Sequence, residues 1–294
     1  MTDKFFRGHK RRGSFDLFSS YDHFLPGWGG LAVLAFMFLA GNVLGALMLK
    51  GLTLLVGTGF ALRYGLLIVY PVTFIPALLY ASAKSRLEAH KVTAISVDGN
   101  WPAAGWKASC RLVSICICST IAAAYLLETC SMLLPEMPDE MKAQLEHLMN
   151  GMPLWATFIS VSVFAPLFEE WFCRGLILRG LLHRTSPALA IVLSAGFFAI
   201  IHGNIWQGIP AFGMGLLFGY VYYRTGSLKL TMLMHFANNT MALALNKIPR
   251  FKDAETFMDI LSPWAYWSIW AACLMIVVCS IILLRPKEEE HRDA

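Results

Sequence analysis

A chain of 294 residues that is 57% hydrophobic and only 15% charged, with a mean hydropathy of +0.57, exceeds the roughly 45 to 50% apolar content of a soluble domain. That excludes an ordinary soluble enzyme and points to an all-α, polytopic membrane protein. The net charge of +5 is explained by basic loops retained on one side of a membrane and by anionic lipid, so it makes no case for nucleic acid as a partner.

Residues 1–29 form a basic arm with Phe5, Phe6, Phe15, Phe18 and Tyr21, expected to lie on the membrane surface. No cleavable signal peptide is evident, because the first apolar run is too long for a signal-peptide core. One membrane domain is expected over 30–284. Its apolar runs fall at 30–49, 64–82, 112–134, 154–178, 188–201, 210–223, 228–245 and 263–284, about eight transmembrane helices when read against the roughly 20 residues that cross the hydrocarbon. The fifth and sixth runs are short and are expected to begin in the interface or to be shielded by neighbours. A charged tail, 285–294, follows.

The longest polar stretches are 83–110 and 135–152. The second carries Met141, Leu145, Leu148 and Met149 at helical spacing among Asp139, Glu140 and Glu146, which predicts a short amphipathic helix on the outer face, with a solvated acidic loop as the alternative. Either form could cover the mouth of a cavity. The seven cysteines, Cys110, Cys116, Cys118, Cys130, Cys173, Cys273 and Cys279, show no C-x-x-C spacing and read as core residues.

Most of the 24 Lys and Arg fall in the N-terminal arm, in 83–111, at Arg179 and Arg184, at Arg224 and Lys229, and in the tail. Lys50, Arg63, Lys142, Lys247, Arg250 and Lys252 lie on the other side. Basic residues in short loops stay cytoplasmic, so both termini are expected inside. The short loops suit a bacterial plasma membrane, and an endoplasmic reticulum membrane stays open.

The fourth run, 154–178, contains Glu169, Glu170 and Arg174. Ionised groups at membrane depth cost a few kcal/mol or more, so they face protein or a wet cavity and have partners. Glu170 and Arg174 share a helix face at i, i+4 and can pair, whereas Glu169 points about 100° away and is left free to act as a base. A purely structural network is the competing reading. In an antiparallel hairpin, Glu169 and His202 lie at similar depth, about 21 to 23 Å from the turn at 1.5 Å per residue. His202 opens a polar connection, 203–208. His235 and Asn239 share a face of the seventh run; alone they would be interhelical glue, and Asn238 lies off that face. Together these groups fit hydrolysis: a carboxylate draws a proton from water that His202 positions, and His235 with Asn239 donates to an oxyanion. A Glu-His-His set also resembles zinc ligation, but neither H-E-x-x-H nor G-x-S-x-G is present.

Three motifs carry a resemblance: Glu169–Arg174 as EExxxR, Phe198–His202 as FxxxH and His235–Asn239 as HxxxN, with a glycine-rich connection over 213–226. The sequence resembles the CPBP intramembrane proteases, the group containing the type II CAAX prenyl endopeptidases and bacteriocin-processing or immunity proteins. The resemblance spans about 80 residues inside a motif-bearing core, 154–245. It implies an eight-helix fold around a catalytic cavity, with Glu169 activating water, His202 assisting, and His235 and Asn239 forming the oxyanion site. It implies no cofactor, with zinc left open, and a protein or peptide substrate in contact with membrane lipid, lipid-modified substrates included. The competing functions are a non-catalytic immunity or scaffold protein, a metal-dependent version of the protease, and a transporter with a charged midplane site.

Overall fold

The computed structural model describes residues 18–99, 105–252, 254 and 256–285, and among them every regular element is helical. The expectations for Phe5, Phe6, Phe15 and the tail beyond Arg285 lie outside the described residues. In chain order the helices are α1 (Trp28–Val56), α2 (Thr58–Glu88), α3 (Trp106–Glu128), α4 (Asp139–Glu146), α5 (Leu154–Leu182), α6 (Pro187–Ile200), α7 (Ile205–Thr225), α8 (Leu228–Asn246) and α9 (Pro263–Leu283).

Five of them, α1, α2, α3, α5 and α9, are long and apolar enough to cross a membrane. Each of the eight predicted runs is helical among the described residues, and eight as the count of spans is not confirmed. The fifth run gives α6, 14 residues long, as its shortness suggested. The sixth is longer than predicted, because α7 starts at Ile205 and runs 21 residues. Its start corrects the expected connection at 203–208. Asn204 accepts from the Gln207 N–H with its side-chain oxygen, an N-cap that begins the helix and leaves only a tight turn through Gly203, at φ 70°.

Large apolar side chains point outward from the bundle, among them Leu39 and Leu47 on α1 and Met275 and Leu283 on α9. This inverts the soluble pattern and suits helices solvated by lipid. Cys116, Cys173 and Cys273 are buried as expected, but Cys110, Cys118 and Cys279 are exposed, so the core reading holds for three of the seven.

Close helix packing begins with small residues. Gly41 and Gly45, one turn apart on α1, face α2: a Cβ on Gly41 would lie 1.9 Å from the Thr73 carbonyl oxygen, and one on Gly45 2.9 Å from Val69 Cγ1. Their lack of a side chain lets the two backbones approach. This contact flanks Tyr70, whose hydroxyl belongs to the site below.

At the basic end the bundle is tied shut. Arg179 reads from sequence as a charged loop residue, yet it is fully buried. It donates to the Ile95, Tyr21 and Phe24 carbonyl oxygens at 2.8, 2.7 and 2.6 Å, a use of several guanidinium donors that a lysine could not reproduce. Asp98 caps α8 by accepting from the Leu228 and Lys229 N–H groups and the Ser227 hydroxyl. The Tyr222 hydroxyl donates to the Val97 carbonyl at 2.7 Å. These bonds fix the start of α8, the helix that carries His235 and Asn239.

Candidate active site

The site is built on α5, whose backbone is not uniform. π-Helical stretches, Phe158–Phe164 and Trp171–Leu178, flank the α-helical turns Ala165–Glu170. Wide turns of this kind recur at functional positions. In the first stretch the Ala165 N–H reaches the Ser160 carbonyl. The next bond of that ladder would run from residue 166 to Val161, but residue 166 is proline and has no N–H. The Val161 carbonyl instead accepts from Asn239 Nδ2 at 2.9 Å. A carbonyl only accepts, so this bond fixes which way the Asn239 amide points. Asn238 Nδ2 donates to Asn239 Oδ1 at 3.0 Å and holds its other side; Asn238, off the main face in sequence, is thus a support for Asn239.

Of the arrangement expected around the two glutamates, the Glu170–Arg174 pair is seen. Arg174 Nη1 donates to Glu170 Oε1 at 2.8 Å with both side chains fully buried. Arg174 Nη2 donates to the Gly215 carbonyl at 3.3 Å, and its guanidinium lies 4.3 Å from the Phe198 ring centroid and 5.4 Å from that of Phe218. A charge-assisted bond, a backbone acceptor and two aromatic faces compensate for removing this charge from water.

Glu169 is also buried but makes different contacts. The Tyr70 hydroxyl donates to its Oε1. Its Oε2 has no hydrogen-bond partner among the described residues and lies 4.0 Å from His235 Nε2. His235 bridges the two carboxylates, with Nδ1 3.1 Å from Glu170 Oε1. Glu170, held by Arg174, accepts there, so Nδ1 carries hydrogen and Nε2 is the nitrogen turned toward Glu169.

His202 is held by its own helix and not by a bond to the carboxylates. Its Nδ1 is 2.7 Å from the Phe198 carbonyl oxygen, so Nδ1 again carries hydrogen and Nε2 is left to accept. Its link to the rest is aromatic: Phe198 packs edge-on against His202 and His235, with centroids at 5.1 and 5.5 Å. The phenylalanine of the FxxxH motif is thereby the hub that contacts Arg174, His202 and His235 at once. His202, His235, Asn238 and Asn239 line one cavity of about 330 Å³, together with Glu128, Trp206 and Gln207. Glu169 is not among its walls but lies behind His235 Nε2, its side chain 11% exposed.

Four of the six predicted residues, Glu169, Glu170, Arg174 and His235, therefore lie in one connected cluster; His202 joins it through Phe198, and both His202 and Asn239 share a cavity with His235. Sequence reasoning missed Tyr70, 99 positions before Glu169, because a tyrosine in an apolar run carries no signal of its partner. Glu128 was missed too; it accepts from the Phe257 N–H and the Tyr266 hydroxyl. As ligands for zinc the set fits poorly: Glu170 Oε1 is already shared by Arg174 and His235, and no three His, Cys, Asp or Glu side chains among the described residues converge as metal ligands.

Residues 151–241 match the family model described as type II CAAX prenyl endopeptidase Rce1-like. The motif-bearing segment is thus similar to this family. The match begins at the approach to α5 and ends just past Asn239, so it takes in all three motifs. Two Bacillus subtilis (strain 168) proteins are similar to the chain: "Uncharacterized protein YyaK", 30% identical over 80 residues, covering 24% of this chain and 27% of the relative, and "Putative membrane peptidase YdiL", 26% identical over 88 residues, covering 30% and 36%. The matched stretch thus spans about a quarter to a third of those relatives. No solved structure matches.

Proposed function

We propose that the chain is an intramembrane endopeptidase that hydrolyses peptide bonds of membrane-associated proteins or peptides, with Glu169 as the general base and no metal in the reaction. The observation that carries this reading is the setting of Glu169, which accepts from the Tyr70 hydroxyl through Oε1 and faces His235 Nε2 across 4.0 Å through Oε2, whereas Glu170 is engaged by both Arg174 and His235.

In this mechanism water enters beside Glu169 Oε2, gives up a proton to it, and attacks the scissile carbonyl carbon. His202 Nε2 accepts from the same water and orients it. His235, through its Nε2 side, and Asn239, through the second hydrogen of Nδ2, then stabilise the tetrahedral oxyanion. Asn239 is suited to this because Val161 and Asn238 hold it before substrate arrives, and preorganised donors are worth about 10² to 10³ in kcat each. Glu169 returns its proton to the departing amine, closing the cycle without an acyl-enzyme.

The Rce1-like match and the naming of one relative as a membrane peptidase support the reaction class. The test compares new protein termini in membranes of cells carrying the wild-type chain or Glu169→Ala at matched expression. Termini that require the wild type establish proteolysis and identify the substrate. Identical sets across growth conditions refute the reading and favour a binding or immunity role.

A further inference from the structure

The proposed active-site cavity does not end at His202. Trp206 belongs both to its wall and to that of a cavity of about 930 Å³ lying under α4, lined by Pro135, Glu136, Leu145, Glu146 and Met149 among others. A third space, of about 240 Å³, shares Glu128 with the first and Asn246, Ala254 and Thr256 with the second. The three form a string of adjoining chambers from His235 and Asn239 to the end of α8 near Asn246.

Over the largest chamber α4 lies as a cover. It is the amphipathic helix that the spacing of Met141, Leu145, Leu148 and Met149 predicts, and these four are half-buried while Ala143, Gln144 and Glu146 are exposed. None of its residues is fully buried. Bonds at its margins hold it: Trp206 Nε1 to the Pro135 carbonyl at 2.8 Å, His147 Nε2 beside the Leu62 carbonyl at 3.1 Å, and Lys247 Nζ to the Met149 carbonyl and Asn150 Oδ1 at 2.7 Å each. An element with so little buried surface opens at small cost.

The opposite end is closed by Arg179, Asp98 and Tyr222, which knit 21–24 and 95–98 onto α5, α7 and α8. That closed end carries Arg179, Arg184, Arg224 and Lys229, so basic-residue retention puts it on the cytoplasmic side. The α4 end, where Glu136, Asp139, Glu140 and Glu146 stand beside Lys142, Lys247 and Arg250, is the other end of the bundle.

We propose that substrate reaches the site from the extracytoplasmic face, beneath α4, and that the substrate is therefore a polypeptide segment displayed on that face rather than a cytoplasmic one. This rests on the protease reading for the word substrate, but the route itself can be measured without it. Leu145→Cys places a thiol on the chamber side of α4, and native Cys110, exposed at the start of α3, marks the other end. A membrane-impermeant maleimide is applied to intact cells and to inverted membrane vesicles, and adducts are located by peptide mass spectrometry. The expected result is labelling of Leu145→Cys in intact cells and of Cys110 only in inverted vesicles; the reverse pattern overturns the proposal. With a substrate found by the terminus comparison, the Leu145→Cys adduct should slow cleavage at least tenfold relative to the unlabelled variant, and undiminished cleavage also overturns the route. If the wild-type chain cleaves nothing, the protease reading fails, and the labelling alone decides the route.

Discussion

The contact between Tyr70 and Glu169 joins α2, outside the matched segment, to the proposed base, and it can be weighed. Tyr70→Phe removes one hydroxyl and keeps the ring that packs 5.7 Å from Phe74. Among the described residues that hydroxyl is the donor to Glu169 Oε1, and Oε2 has none, so the variant leaves a buried carboxylate with neither oxygen satisfied. A hydrogen bond to a charged group is worth about 1.5 to 3 kcal/mol, and Tyr70→Phe should destabilise by about that amount. Once Glu169 is gone the hydroxyl has lost its partner, and adding Tyr70→Phe should cost less than about 0.5 kcal/mol. The assay is unfolding in mixed micelles across the double-mutant cycle. A coupling of about 1.5 to 3 kcal/mol supports the argument; additive effects refute it.

Arg174→Met should destabilise by about 3 to 5 kcal/mol, because it leaves Glu170 buried without its guanidinium partner, and Arg174→Lys should not restore stability, since bonding Glu170 and the Gly215 carbonyl together needs the guanidinium fork; the same unfolding assay reads both. Gly41→Ala should cost about 1 to 3 kcal/mol from overpacking against Thr73, and suppression by a smaller residue at position 73 would contradict that account, since the clash is with backbone. Asp98→Ala should cost about 0.5 to 2 kcal/mol through loss of the α8 cap and should speed hydrogen exchange in the first turn of α8. Asn239→Ala should lower cleavage of an identified substrate about 10² to 10³-fold with little change in KM.

The helical class and the pairing of Glu170 with Arg174 were legible because both depend on local spacing. An apolar run of sufficient length must be helical in lipid, and i, i+4 neighbours meet whatever surrounds them. The amphipathic character of α4 was legible for the same reason. What sequence left open is set by tertiary contact. Arg179 looks like any loop arginine until residues 21–24 and 95 are folded over it. Tyr70 finds Glu169 only through α2 packing, and the start of α7 depends on the Asn204 cap, a single residue inside a polar stretch. The release of the Val161 carbonyl by Pro166 could have been guessed only by knowing that the helix there is π-wound.

The most direct test of the central claim is the cleavage rate of a substrate from the terminus comparison, with purified wild type and Glu169→Gln in proteoliposomes, both checked for folding by unfolding midpoint. Glutamine keeps the shape and can accept from Tyr70 but cannot take the proton from water, so a fall of about 10² to 10⁴-fold is predicted. A folded Glu169→Gln protein that cleaves at the wild-type rate would contradict the assignment of Glu169 as the base.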